Sequence, residues 1–307
     1  MDQSLFSELF EKVKNQPQRR LVVANGVDIH SLEAVARAIS KNLVTVIITG
    51  DASLIHEECR RLGIPSDKYE VRNCSDDKEA AAMAVDLARS GEADLIMKGL
   101  LNTDVFMKAI LNKTYGILSP GALLAHMSMM KSRNYHKPLF FSDVAIIPLP
   151  TLDQKTVITR YLIDVARSFG IDRPKVAFIA ATEKVIEKMP ACSDAYTLKL
   201  KWEAGWFGSS FCDGPMGIDL AIDKEAALIK NFASQVAGDA DCLLFPNIEA
   251  GNVFYKTNAK WCKSEMAAIV MGTKVPVVLS SRGDSVDTKL NSIALAALIG
   301  STNATKD

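Results

Sequence analysis

Apolar positions along this chain follow two rhythms. Short runs rich in β-branched residues recur at 21–24, 44–49, 94–98, 139–147, 176–180, 242–246 and 275–279. Runs with no polar face are what buried parallel strands present, since helices cover both sides of such a sheet. Longer stretches with helical spacing lie between them. Residues 31–40 open on Ser31, a plausible cap, and 76–89 are alanine-rich and followed by Gly91, a usual terminator. Within 153–169, Val157, Tyr161, Val165 and Phe169 are spaced by four. In 285–299, Leu290, Ile293, Ala294, Ala297 and Leu298 share one face before Gly300. Strands alternating with helices predict an α/β fold with mostly parallel sheet.

The length of 307 residues is generous for one core and suits two domains. No Gly/Ser linker marks a boundary. The polar, aromatic segment 131–138, KSRNYHKP, reads as a crossover loop, and the last helix has no strand after it. That helix is expected to pack back on the first domain. The expected division is 1–138 with 284–307 as one α/β domain and 139–283 as the other.

Lysine plus arginine and aspartate plus glutamate both number 36, so the net charge is zero and nothing points to nucleic acid or an anionic membrane. The longest apolar runs, such as 293–299, are far short of the roughly 20 residues a membrane span needs. Acids at Asp2, Glu8 and Glu11 argue against a signal peptide. Six cysteines form no C-x-x-C pair and have no histidine at metal spacing. Reduced thiols in a cytoplasmic protein are expected, with no metal site.

Familiar chemical motifs are missing. There is no phosphate loop, no G-x-G-x-x-G after the first strand (VVANGVD stands there), no H-E-x-x-H and no G-x-S-x-G. Polar clusters at the ends of predicted strands remain, and in open α/β sheets ligands bind at that edge. They hold Lys98 and Thr103; Ser142 and Asp143; Asp213, Gly214 and Asp219; Asn247, Gly251, Asn252 and Lys256; and Ser281, Arg282, Gly283 and Asp284. The last is the sharpest. An arginine fork beside a helix capped by Ser285 offers an anion both charge and backbone N–H groups. A salt bridge from Arg282 to Asp284 or Asp287 is the plainer alternative.

The segments GEADLIMKGLLNTDVFMKAIL, DGPMGIDLAI, VAGDADCLLFPNIEAGNVFYK and VPVVLSSRGDSVDTKLNSIALAAL resemble the phosphate acetyltransferase and phosphate butyryltransferase family. The length, TLDQKTVI and EKMPACSDA look closer to the butyryl branch. The resemblance implies two domains with mostly parallel sheets, like isocitrate and isopropylmalate dehydrogenases, with the active site in the interdomain cleft. It also implies a homodimer and the reaction acyl-CoA + phosphate ⇌ acyl phosphate + CoA, with CoA and phosphate as substrates and no bound cofactor. Ser281 and Arg282 match the family's catalytic pair. The acetyl enzymes carry a catalytic aspartate seven residues after that serine. Here Thr288 holds the position and Asp287 precedes it, so Asp287 is the expected acid and Asp284 a second candidate. A non-catalytic CoA or acyl-phosphate binding module is the rival reading, resting on Thr288 alone. A metal-dependent decarboxylating dehydrogenase would need clustered acids and a nucleotide site, and the sequence offers neither.

Overall fold

The computed structural model describes residues 6–279 and 283–303, with side chains through 300. By density of contacts the chain forms two compact units, Met1–Leu124 with Ala267–Asp307, and Ala125–Met266.

The first unit runs α1 (Ser7–Lys14), β1 (Arg19–Ala24), α2 (Ile29–Ser40), β2 (Val44–Gly50), α3 (Ala52–Arg61), β3 (Tyr69–Asn73), α4 (Asp77–Ser90), β4 (Leu95–Lys98) and α5 (Thr103–Ile110). The second holds β5 (Ala125–Lys131), β6 (Leu139–Ser142), α6 (Leu152–Ser168), β7 (Lys175–Ile179), α7 (Pro190–Glu203), β8 (Phe211–Met216), α8 (Ile218–Ile222), α9 (Lys224–Ile229), β9 (Cys242–Leu244) and α10 (Ile248–Lys256). A return segment of β10 (Glu265–Met271), β11 (Val277–Val278) and α11 (Val286–Asn303) completes the first.

In the first unit the strand order is β3-β2-β1-β4-β11-β10, parallel except where β10 opposes β11. Strands β1 to β3 advance outward, whereas β4 returns to the other side of β1. Right-handed crossovers then put α2 and α3 on one face and α4 on the opposite face. Leu21, Val22, Val23 and Ala24 of β1 are buried throughout, as a doubly covered strand requires. α11 packs against α1 and α2 in the same unit, as expected of a last helix with no strand of its own.

In the second unit the order is β5-β6-β9-β7-β8, with β5 antiparallel to β6 and the rest parallel. Leu139, Phe141, Ala177, Ile179, Leu243 and Phe245 form one side of its core under α8 and α10, with Phe254 and Tyr255 packed against it. Phe140 turns the other way and meets Phe169 edge-on at 5.8 Å between ring centroids.

Several expectations change in detail. Segment 131–138 is the loop of a β5–β6 hairpin, with Met130 opposite Leu139 and Ser128 opposite Phe141. It therefore lies inside the second unit. Residues 267–283 fall to the first unit because β11 pairs with β4, Val277 beside Ile96 and Val278 beside Met97. The strand expected over 139–147 ends at Ser142. α2 is capped by Asp28, whose carboxylate accepts from Ser31 N at 2.9 Å, so Ser31 is not the cap. Four strands escaped the hydrophobic pattern: β3 is short and half exposed, β5 and β10 are methionine- and alanine-rich, and β8 carries Gly214 and Pro215.

Candidate active site

In the first unit, the strand order reverses between the parallel β1 and β4, and the crevice outside the strand ends at such a switch is where open α/β sheets bind ligands. Lys98 ends β4 there and is only 5% exposed. Its ammonium donates to Gly99 O at 3.2 Å and Leu101 O at 3.1 Å. Thr103 opens α5 and is exposed, after an Asn102 cap whose side chain makes no capping bond. A Cβ on Gly99 would sit 2.4 Å from Asn25 O, so only glycine lets β4 leave this close to β1.

On the far side of β4 from β1, β11 ends at Val278, and α11 begins at Val286. Ser281 and Arg282, the pair expected to carry the chemistry, lie outside the described residues. Beyond them, Gly283 is exposed and Asp284 half-buried. Ser285 caps α11 as expected: its Oγ accepts from Thr288 N at 3.1 Å, and Lys289 N donates to Ser285 O at 3.1 Å. Thr288 adds a hydroxyl contact to Ser285 at 3.0 Å. Asp287 is 71% exposed at its side chain and pairs with Arg37 of α2 at 3.0 Å, while the same guanidinium binds Glu33 at 2.6 Å. Lys289 Nζ reaches Ser31 Oγ at 3.3 Å. α2 thus grips the first turns of α11.

In the second unit, β6, β7, β8 and β9 are parallel and end along one edge. Asp143, just past β6, is 2% exposed. Its carboxylate accepts from the backbone N–H of His126 at 3.1 Å, Ala145 at 2.7 Å and Ile146 at 2.8 Å. It shapes the β6 exit from within. Asn247 caps α10 by accepting from Ala250 N at 3.0 Å, and Asn252 Nδ2 donates to Val144 O at 2.9 Å. A Cβ on Gly251 would fall 2.3 Å from Asp143 O. Asn252 and Gly251 thus lock α10 onto the segment after β6. Lys256 belongs to the same sequence cluster but stands at the opposite end of α10, about 13 Å along the axis from Asn247.

Asp213 lies within β8 rather than at its end. It pairs with Lys199 of α7 at 2.8 Å and accepts from Gly214 N at 2.8 Å. Gly214 packs on Phe178, which a Cβ would meet at 2.7 Å. Asp219, in the first turn of α8, bonds Lys230 at 2.7 Å, and that bond holds its carboxyl below the usual carboxylate range. Of the expected residues, Lys98, Asp143 and Asn247 stand at strand-end edges, whereas Asp213 lies inside β8 and Lys256 at the far end of α10. The structure also employs Asp143, Asp213, Asp219, Asn247, Gly251, Asn252 and Asp287 in bonds or packing of the protein itself.

Five of the six cysteines are buried. Burial pushes the Cys59, Cys74 and Cys242 thiols up and Cys212 to about 12. High values suit inert thiols, not nucleophiles. Among the described residues no group of three or more His, Cys, Asp and Glu could hold a metal, and no helix is long and apolar enough to cross a membrane. Asn25 and Arg37, which organise the two strand-end regions, went unsignalled. VVANGVD contains an Asn-Gly pair, a known mark of left-handed backbone, and Asn25 does adopt φ +53°.

A family profile described as "Phosphate acetyl/butaryl transferase" matches residues 4–88 and 77–297. The chain is 40% identical to the phosphate butyryltransferase of Clostridium acetobutylicum over 294 residues, covering 96% of this chain and 97% of that one. It is 35% identical to the phosphate acetyltransferase of Thermotoga maritima, covering 96% and 99%. Among solved structures, a branched-chain phosphotransacylase from Enterococcus faecalis V583 superposes with a TM-score of 0.82 at 26% identity, covering 92% of this chain and 99% of that one.

Proposed function

The chain belongs to the phosphate acetyl/butyryl transferase family and is a transferase, and on that premise we propose that it interconverts butyryl-CoA and phosphate with butyryl phosphate and CoA. Phosphate acyltransfer is common to its relatives. The butyryl preference draws on the higher identity to butyryltransferases, 40% against 35% for the acetyl enzyme, and on the TLDQKTVI and EKMPACSDA segments. The observation that carries the reading is the layout around β4. The switch point lies on one side of it, and β11 on the other leads through Ser281 and Arg282 into the capped N-terminus of α11.

In this proposal Arg282 clamps phosphate with its planar fork, assisted by the positive end of α11. A phosphate oxygen attacks the thioester carbon, and the carbonyl π pair moves onto oxygen. Ser281 donates to that oxyanion, whose electron pair re-forms the carbonyl as the C–S bond breaks, and the sulfur leaves with the bond's pair and takes up the proton that a nearby carboxylate has accepted from the attacking phosphate. Orientation of the two substrates supplies about 7–11 kcal/mol, and one oxyanion donor about 2.7–4 kcal/mol. The sequence pattern points to Asp287 as that carboxylate. We propose Asp284 instead, because it is half-buried and nearer Arg282 in the chain, whereas Asp287 is exposed and paired with Arg37. Transfer is direct, with no acyl-enzyme, bound cofactor or metal. An isocitrate dehydrogenase-like arrangement with one cleft served by both units, and a homodimer, belong to the same proposal.

Acetyl-, propionyl-, butyryl- and isobutyryl-CoA, each assayed for CoA release with and without phosphate, test it. Release that requires phosphate, fastest with butyryl-CoA, is expected without added metal. Each missing methylene in the acyl pocket costs about 1–3 kcal/mol, so acetyl-CoA, two methylenes shorter, should trail by roughly thirtyfold or more. Tight binding without turnover would favour the non-catalytic module. Phosphate-independent release would reject acyl phosphate as product.

A further inference from the structure

Resting on the reading that residues around Lys98 and Thr103 meet the substrate, we infer that Asn25 is a positioning residue for acyl-CoA, acting through the loop 99–102. Both backbone polar groups of Leu100 go to Asn25. Leu100 N donates to Asn25 O at 2.8 Å, and Asn25 Nδ2 donates back to Leu100 O at 2.7 Å. The second hydrogen of the same amide goes to Asp77 Oδ1 at 2.8 Å, at the start of α4. Lys98 takes the carbonyls on either side, those of Gly99 and Leu101. Three consecutive carbonyls are thus held by two side chains, Lys98 at the end of β4 and Asn25 just past the end of β1.

This clamp decides what the loop shows outward. The Lys98 ammonium is turned onto the loop's own backbone, so the loop presents the Leu100 side chain, 48% exposed, and then Thr103. An apolar side chain and a hydroxyl suit an acyl chain or the thiol arm of CoA, not inorganic phosphate. Asn25 can hold this geometry because asparagine tolerates φ +53°, a backbone conformation that most other residues avoid.

Asn25→Gly separates the side chain from the backbone, since glycine keeps the left-handed conformation and loses both donated bonds. The expected result is a roughly three- to tenfold rise in KM for acyl-CoA, the worth of a lost hydrogen bond, with the phosphate KM and kcat within twofold. Asp77→Ala removes only the other partner and should leave the acyl-CoA KM within twofold. If the glycine variant fails to fold, Asn25→Asp combined with Asp77→Asn replaces it with the same expectation, since the pair keeps its charge and its mutual hydrogen bond and loses only the bond to Leu100 O. An unchanged acyl-CoA KM would overturn the inference, as would an equal rise in both KM values or an Asp77→Ala effect as large as that at Asn25. The wild-type assay with and without phosphate stands apart. Its failure would remove the acyltransferase reading, whereas wild-type kinetics in the Asn25 variants would remove only the positioning role.

Discussion

Asp284 and Asp287 flank the Ser285 cap, and the structure employs them differently. Asp287 points along α2 to Arg37, an exposed pair worth about 0–1 kcal/mol. Asp287→Asn should therefore cost little stability and less than about threefold in kcat. Asp284→Asn should lower kcat by about a hundredfold with small changes in either KM, as removal of a general base does. Steady-state kinetics on both variants decide it, and the reverse ranking would return the role to Asp287. Arg282→Lys should raise the phosphate KM roughly 10- to 100-fold, because lysine keeps the charge but not the fork. A phosphate KM near wild type would make Arg282 a salt-bridge residue. The cap itself was legible, since a serine just before an apolar helix face is a local signal. Arg37 and Asn25 were not, because their decisive partners lie 250 and 75 residues away in sequence.

Helix α10 shows how residues of a sequence motif can carry structural work. Gly251 and Asn252 fit the helix to the backbone after β6, and Asn247 caps it. Gly251→Ala would press a methyl group against Asp143 O. Overpacking of this kind costs about 1–3 kcal/mol, read as a shifted denaturation midpoint, whereas the exposed Val253→Ala should change stability by less than about 0.5 kcal/mol. Equal stability in both would mean that α10 moves without cost. Strands with β-branched runs could be read from the chain because both faces are buried. β5, β8 and β10 could not, since methionine, alanine, glycine and proline carry little strand preference and sheet neighbours decide their state.

The second unit is held together at one end by ions. Lys137 binds Asp241 at 2.7 Å and Asp239 at 3.0 Å, Lys175 binds Asp239 at 2.5 Å, and His136 reaches Asp239 at 2.8 Å. Tyr135 OH donates to Ala240 O at 2.7 Å, and burial first, then Asp239 and Asp241, pushes its hydroxyl up. Burial alone would raise Asp239. The bonds from Lys175, Lys137 and His136 outweigh it and hold the carboxyl well below its ordinary value. A depressed folded value gives stability that is complete above the unfolded value near 3.9 and is lost as pH falls through the folded one. Asp239→Asn should cost about 1.5–3 kcal/mol at pH 7, a deficit that narrows as denaturation is repeated below about pH 4. A deficit independent of pH would assign the cost to packing. The segment 131–138 that carries this network explains why the boundary was hard to read. Its polar residues read as a crossover loop, but His136 and Lys137 are paired within the unit.

Burial of the thiols has a consequence for handling the protein. Cys262 follows a π-helical turn, Thr257–Trp261, and is the one cysteine of six that solvent reaches. An alkylating reagent offered to the folded protein should attach once per chain, and intact-mass spectra should show a single adduct until denaturant releases the other five. That stoichiometry makes the native fold its own protecting group. A fluorophore or spin label could be placed on the second unit without any engineered cysteine, and the catalytic proposal would leave the labelled enzyme active.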